Sequence, residues 1–507
     1  MKRPAVLPLV LLLAGAGALA CRDAEAPAPR PGFRFLERPR ATGGDTVGVE
    51  LPGRLVVVLY DSAGKPRADA EVGVLAVTPP GGSSFDPALE FRPADRPDAP
   101  WSDVWQTRTD SLGRASFAVK LGTVAGQMVA ALYWNGRRLD QSDTVQFAVL
   151  PGAAARVEML PKDTALYVGR SYQLRMRVLD AHGNVRGDPV AVRSDSSAVA
   201  VAAGGAVRGE RIGRALVRAT AGRAADSAWA SVVPAGTLAA TRIAAGMSDH
   251  LAQLNLDGSE LRVVVPRPVH TVAFASSGGW MAIVDGSEGR YGNGRIFVRD
   301  AQGAERPLLP DYDDYNETQQ GPRSSADDRW IYFAGRTTYH TSILRVHPDG
   351  SGLDTVAAPQ AGTGSAFRDP APSPDGRMVA FLGGTSCATA CSAAGGIQVR
   401  DLGTGATIAA GLPGEQPRWI PGTDTLVVST PAGFIVMRPN GAVVRRIAFP
   451  LSGFSPFDLS PDGRWIAVAT DAVPPMGWRQ VVLLSLDGKL RLPLAFTGGV
   501  VAPIWHP

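Results

Sequence analysis

The sequence predicts an all-β chain of several modules, and three observations carry that prediction. Glycine (58) and proline (41) are abundant among the 507 residues, a composition that suits short strands joined by tight turns. Before residue 237, apolar residues alternate with polar ones in short runs bounded by turn signals. From 238 to the last residue, one short motif returns at spacings of 40 to 50 residues. The length exceeds what one hydrophobic core serves, and 45% hydrophobic with 19% charged residues is a globular balance.

The first twenty residues read as an export signal. Lys2 and Arg3 precede the apolar run PAVLPLVLLLAGAGALA, which ends in small residues and is short for a membrane span. "ALAC" (18–21) resembles a bacterial lipobox, which implies lipidation of Cys21 as the mature N-terminus; ordinary cleavage after Ala20 is the alternative. Residues 21–32 form a Pro-rich tether. Position 22 is not Asp, and resemblance to Gram-negative lipoproteins then implies an exported, outer-membrane-anchored protein. Cys387 and Cys391 share the small-residue loop GGTSCATACSAAGG; an exported chain permits a disulfide there, and no His lies near enough in sequence to suggest a metal.

Residues 33–150 are expected as one β-module. GRLVVVLYDSAGKPRADAEVGVLAV (53–77) reads as strand, turn, strand, and TDSLGRASFAVKLG (109–122) repeats the logic. The pattern V-x-D-x-x-G-x-P … T-D-x-x-G-x-A resembles bacterial Ig-like domains of the invasin type, with 79–106 as a long Pro-rich insertion. Residues 151–236 hold a second module. ALYVGRSYQLRMRVLDAHGNV (165–185) followed by SDSSAVAVAAGGAVRGERIGRALVRATAG (194–222) resembles the second bacterial Ig-like group, with Val192 where that group usually has Trp.

Residues 237–507 repeat themselves. LSPDGRWIAVAT (459–470) is matched by PSPDGRMVAFLG (372–383) and, more loosely, by SADDRWIYFAG (325–335), FASSGGWMAIVD (274–285) and WIPGTDTLVVST (419–430). The Ser position of the motif falls at 275, 325, 373, 420, 460 and 506. Six further turns of Asp-Gly type start at 255, 300, 347, 401, 438 and 485. Two turn series in register give four strands per unit and six units, hence a six-bladed β-propeller. The repeats resemble those of TolB-like, WD-like propellers. The closing VVAPIWHP supplies the first strand of the blade whose other strands come from about 241–265, so N- and C-terminal strands share one blade and no sheet edge is left open. The full expectation is all-β: two Ig-like β-sandwiches followed by this closed propeller. Trp280, Trp330 and Trp465 share one repeat position and are expected between blades.

Strand alternation sorts the loops. Connections between strands one and two, and three and four, are short and Asp-Gly-like; the others share the opposite face and are irregular. Binding usually resides in irregular loops on a rigid scaffold. The candidate rim comprises Tyr291, Asp311, Tyr312, Asp313, Asp314, Tyr315, Arg336, Tyr339, His340, Trp478 and Arg479. The aromatics suit peptide or glycan recognition and equally suit packing. Asp311, Asp313 and Asp314 are a calcium candidate against a solvated acidic loop, since the full Asp-x-Asp-x-Asp-Gly spacing is missing.

No catalytic residue is assigned, for no Gly-x-Ser-x-Gly elbow occurs. Asp285, Asp369 and Asp471 fall near strand ends on the irregular face, where six-bladed lactonases hold a metal. No dense basic run points to nucleic acid. The expectation is a non-enzymatic envelope protein without cofactor, binding a protein, peptide or glycan, touching the membrane through its lipid only, with the Ig-like modules as spacer. A propeller hydrolase or lactonase with a channel metal is the rival, and an envelope scaffold a third reading.

Overall fold

A computed structural model of the chain describes residues 31–39, 45–77, 88–136, 144–243, 250–286, 294–310, 319–336, 340–360, 365–385, 396–451, 455–473, 478–494 and 499–506. Cys21, Cys387 and Cys391 lie outside them. The described elements are strands throughout, in two compact units: one runs to Ala155 and includes 179–187, the other holds 156–178 and 188–507.

The first unit is a two-sheet β-sandwich. Strands Gly32–Glu37, Leu55–Tyr60, Arg114–Leu121 and Leu89–Pro93 form one sheet; Val104–Arg108, Glu71–Val77, Gly126–Trp134 and Thr144–Val149 form the other. Alternate residues of both face one core, with Leu55, Phe91, Phe117, Leu132 and Phe147 buried. The expected strand, turn and strand are found at Leu55–Tyr60 and Glu71–Val77, and the turn carries the chain to the opposite sheet. One expectation needs correction. The 79–106 stretch is not a mere insertion, because it holds one strand of each sheet. Residues 179–187, assigned to the second module by sequence, also belong here. The Asp180 carboxylate accepts the N–H groups of His182, Asn184 and Gly152, while the Asn184 amide bonds the Thr123 carbonyl at 2.8 Å and the Ala125 N–H at 2.9 Å. Burial alone would raise the Asp180 pKa; the Asn184 side chain and these N–H donors hold it below the usual carboxylate range.

In the second unit, residues 156–178 and 188–233 build further sheets. Strand Asp163–Tyr167 runs parallel to Ala224–Val233, which pairs antiparallel with Gly213–Ala221. The rest is a propeller of six four-stranded blades, and we number them from the first complete motif. Strand Arg262–Phe274 bends between sheets: its first part ends blade six and its second part starts blade one, continued by Trp280–Asp285, Ile296–Asp300 and Glu305–Pro307. Blades two to five begin with Gln319–Ser324, Ser365–Pro372, Glu415–Trp419 and Phe457–Leu459. Blade six is closed by Gly499–Trp505 pairing with Thr237–Ile243, so that Trp505 lies opposite Leu238 and Ile504 opposite Ala239. The strand that receives the closing strand therefore starts at 237, slightly before the expected 241.

Turn chemistry explains the repeat. In blades two, three and five, the motif serine donates its hydroxyl to the aspartate two residues on at 2.5–2.6 Å and accepts the N–H five residues on at 2.8–2.9 Å (Ser325, Ser373, Ser460). Asp327, Asp375 and Asp462 each also accept the backbone N–H two residues on, from Arg329, Arg377 and Arg464. This local network, closed by Gly376 and Gly463 in the left-handed region, holds a tight hairpin without tertiary help. Blade two has Asp328 at the glycine position (φ 60°), and its carboxylate takes the N–H groups of Ser276 and Ser277 at 2.6 and 2.8 Å, tying blade one to blade two.

Among the described residues, an apolar cluster fills each of the six gaps between blades. Trp465 is buried between blades five and six, Trp280 packs between one and two, and Trp330 between two and three, stacked on His347 at 3.9 Å. The gap between blades five and six also takes in Ala165, Tyr167 and Val233 of the preceding module.

Candidate binding face of the propeller

The first strands of the blades pack on one another in sequence, and the ring returns from Gly499–Trp505 to the strand beginning blade one. Their N-terminal ends lie on the face of the irregular connections, so the centre of that face is built from corresponding positions of six repeats.

Three of those positions share one backbone conformation. Gly321, Asp369 and Gln416 precede Pro322, Pro370 and Pro417, and all three have positive φ (56°, 53° and 50°). Each sits in a register shift between its blade's first two strands. Proline lacks the N–H that a regular ladder would use, so the bulge falls beside it. Glycine meets that backbone demand freely, whereas Asp369 and Gln416 adopt it at a cost on the order of 1–3 kcal/mol each. The bulge turns their side chains toward neighbouring blades. A Cβ on Gly321 would stand 3.8 Å from Asp369 Oδ1, and Gln416 Nε2 donates to the Ser455 carbonyl at 3.4 Å.

Two residues later the repeat places Ala273, Arg323, Ala371, Arg418, Asp458 and Ile504 in successive blades. Arg418 is only 9% exposed. Its Nη1 donates to the Pro417 carbonyl at 2.8 Å, and its Nε stands 3.7 Å from Asp458 Oδ1, beyond hydrogen-bond length. Neither Arg418 Nε nor the buried Nε of Arg368 has a hydrogen-bond partner among the described residues. Burial lowers the Arg418 pKa to about 9; the charge of Arg323 acts in the same direction, and Asp458 and Asp369 oppose it. The guanidinium remains a cation at neutral pH. Asp458 spends its other oxygen on the Trp505 N–H, at 3.0 Å.

The expected rim residues are placed only in part. Arg336 ends the second strand of blade two, and His340, half-buried, directly precedes its third strand. Trp478 and Arg479 open the third strand of blade five. Topology puts these four on the irregular face, in blades opposed across the ring. Tyr291, Asp311, Tyr312, Asp313, Asp314, Tyr315 and Tyr339 lie outside the described residues, and the calcium candidate with them. Asp285 is held by Arg267 Nη1 at 2.7 Å. Among the described residues, no group of three or more His, Cys, Asp or Glu is arranged to hold a metal ion. Sequence reading missed Arg323, Arg368 and Arg418. For Arg323 and Arg418 the available signal was a charged residue at a repeat position that is apolar in sister blades (Ala273, Ala371, Ile504); Arg368 stands where sister blades have His270, Gln320 and Glu415 and carried no such signal.

No family model matches the chain, and no curated protein matches it. Among solved structures, it is similar to an oligogalacturonate lyase in complex with manganese (12% identity, TM-score 0.33, 52% of this chain and 72% of that one). It is also similar to a TolB-like protein of Agrobacterium tumefaciens (19%, TM-score 0.29, 47% and 84%) and to a gluconolactonase of Xanthomonas campestris (16%, TM-score 0.33, 44% and 75%). The propeller itself stands on six four-stranded blades whose ring is closed by the pairing of Gly499–Trp505 with Thr237–Ile243.

Proposed function

We propose that this chain is an exported, lipid-anchored binding protein of the cell envelope, whose propeller takes a protein, peptide or glycan on the face of its irregular connections. The two preceding modules, read as Ig-like, hold that face away from the membrane to which Cys21 would tether the chain. The observation that carries the reading is the asymmetry of the two faces. One is furnished with turns of repeated chemistry, in which Ser, Asp and Gly groups are consumed by the turn itself. The other is where connections vary in length and composition, and where strained backbone at Asp369 and Gln416 is retained. Variation on a rigid scaffold, with strain beside it, marks the working side.

The test uses the full chain. Residues 311–318 are replaced by a Gly-Ser stretch of equal length, and recovery of partners from an envelope extract is compared with wild type and with Arg377→Gln on the turn face. Loss of recovery only in the loop variant supports the reading. Equal recovery by all three removes it.

A further inference from the structure

We propose that the gap between blades three and four, on the turn face of the propeller, is a binding pocket for an alkylammonium group. A cavity of about 340 Å³ opens there, lined by Asp375 and Met378 of blade three and by Trp419, Gly422 and Asp424 of blade four. Its volume lies at the small end of ligand sites, which run from roughly 300 to 1,000 Å³.

The cavity arises from a departure from the repeat. Blades one, two and five carry Trp280, Trp330 and Trp465 directly after the turn, and each packs into the gap toward the next blade. Blade three has Met378 at that position, a slimmer side chain that is only partly buried in its gap. The gap between blades five and six gives the direct contrast, because Trp465 and Trp505 fill it together. Trp419 holds the repeat position of Trp505 and is 7% exposed, but a thioether faces it in place of a second indole. The turns leave the space open as well. A Cβ on Gly463 would stand 3.0 Å from Ile420 Cγ2, so blade five's turn leans on blade four, whereas a Cβ on Gly422 would meet nothing within 4 Å.

A second departure supplies the charge. The residue before the tryptophan or methionine is Arg329, Arg377 and Arg464 in blades two, three and five, and blade four has Asp424 there. Asp424 is exposed and has no hydrogen-bond or ion-pair partner among the described residues. Asp375 spends Oδ1 on the Ser373 hydroxyl and the Arg377 N–H, while its Oδ2 stands 4.0 Å from Arg377 Nε, beyond hydrogen-bond length. That arginine side chain is 83% exposed and does not fill the pocket. The Ser373 hydroxyl holds the Asp375 carboxyl below its ordinary range, so it is an anion at neutral pH. The Trp419 Nε1 donates to the Ala371 carbonyl at 2.8 Å, which fixes the ring. An indole and a thioether offer a polarizable apolar wall to the carbon body of a cation, and the two carboxylates match its charge. An anion would be repelled, and a neutral apolar ligand would leave both carboxylates unmatched. The pocket lies opposite the irregular connections, so it stands or fails separately from the envelope-binding reading.

The full chain is titrated near neutral pH with butylammonium, with neutral butanol and with Nα-acetyl-lysine amide, at matched ionic strength, and binding is followed by saturation-transfer NMR of the ligand. Butylammonium should bind at least roughly fivefold more tightly than butanol. Comparable binding of acetyl-lysine amide assigns the pocket to a polypeptide side chain, and its exclusion assigns it to a free amine. Met378→Trp restores the residue of the sister blades and should weaken butylammonium binding by more than about tenfold by filling the cavity. Asp424→Asn, at an exposed position, should weaken it roughly twofold to fivefold. Equal affinity for butanol, no binding of either ammonium probe to wild type, or wild-type affinity in Met378→Trp overturns the proposal. Should Met378→Trp fail to fold, Asp424→Asn decides the matter, and unchanged affinity there overturns it equally.

Discussion

The Asp458 carboxylate of blade five accepts the backbone N–H of Trp505, in the closing strand, at 3.0 Å. That bond joins the strand completing the ring to its neighbour, while Trp505 itself fills the gap between blades five and six. Removing residues 500–507 should therefore open a sheet edge, empty that gap and lower the melting temperature of the whole propeller. Unchanged melting by calorimetry would sink the closure.

Trp465 tests the same interface from the other side. It is 7% exposed and packs with Trp505 and Leu483. Trp465→Ala should cost about 3–5 kcal/mol in chemical denaturation, the usual range for emptying a large aromatic site. A loss below about 1 kcal/mol would show that the neighbouring blades collapse into the space.

Gly236 and Tyr167 govern the junction between the preceding module and the propeller. A Cβ on Gly236 would stand 2.8 Å from Trp505 Cζ3, so Gly236→Ala should destabilise by roughly 1–3 kcal/mol through overpacking. The Tyr167 hydroxyl donates to the Gly236 carbonyl and accepts the Leu256 N–H, both at 3.1 Å. Tyr167→Phe should cost about 1 kcal/mol. Denaturation of both variants measures these losses, and wild-type stability in either would disprove the junction's role.

Acid should weaken the turn face first. The Ser325, Ser373 and Ser485 hydroxyls hold the Asp327, Asp375 and Asp487 carboxyls below their ordinary value. A carboxyl depressed in the folded state contributes stability above its unfolded pKa, near 3.8, and loses it as pH falls through the lower folded value. Stability should thus be level through neutral pH and decline below about pH 4. Asp375→Asn should flatten part of that decline in an acid titration followed by circular dichroism; a variant curve parallel to wild type would show that this turn makes no contribution.

The sequence made the propeller legible because its repeat is local chemistry. Ser373 and Asp375 complete their network within six residues, and the same six-residue logic recurs at Ser325 and Ser460. Ring closure was legible too, since Pro503 and Trp505 stand at the repeat positions of Pro417 and Trp419. What the sequence hid depends on folding at a distance. Asp458 and Trp505 are 47 residues apart in the chain and meet only because six blades close. Tyr60 and Glu71 flank a turn that is plain in the sequence, but that their strands lie in opposite sheets is decided by pairing with Arg114–Leu121 and Gly126–Trp134. Asp180 and Asn184 show a turn in the sequence, but not the first-unit backbone that their side chains bind.

Hydrogen exchange measures the working face most directly. The full chain is compared alone and saturated with the partner that wild type recovers. A binding face at the irregular rim predicts slowed exchange in peptides covering the starts of Ser365–Pro372 and Glu415–Trp419, with no change in the turns at 373–378 and 460–465. Protection confined to those turns would contradict it.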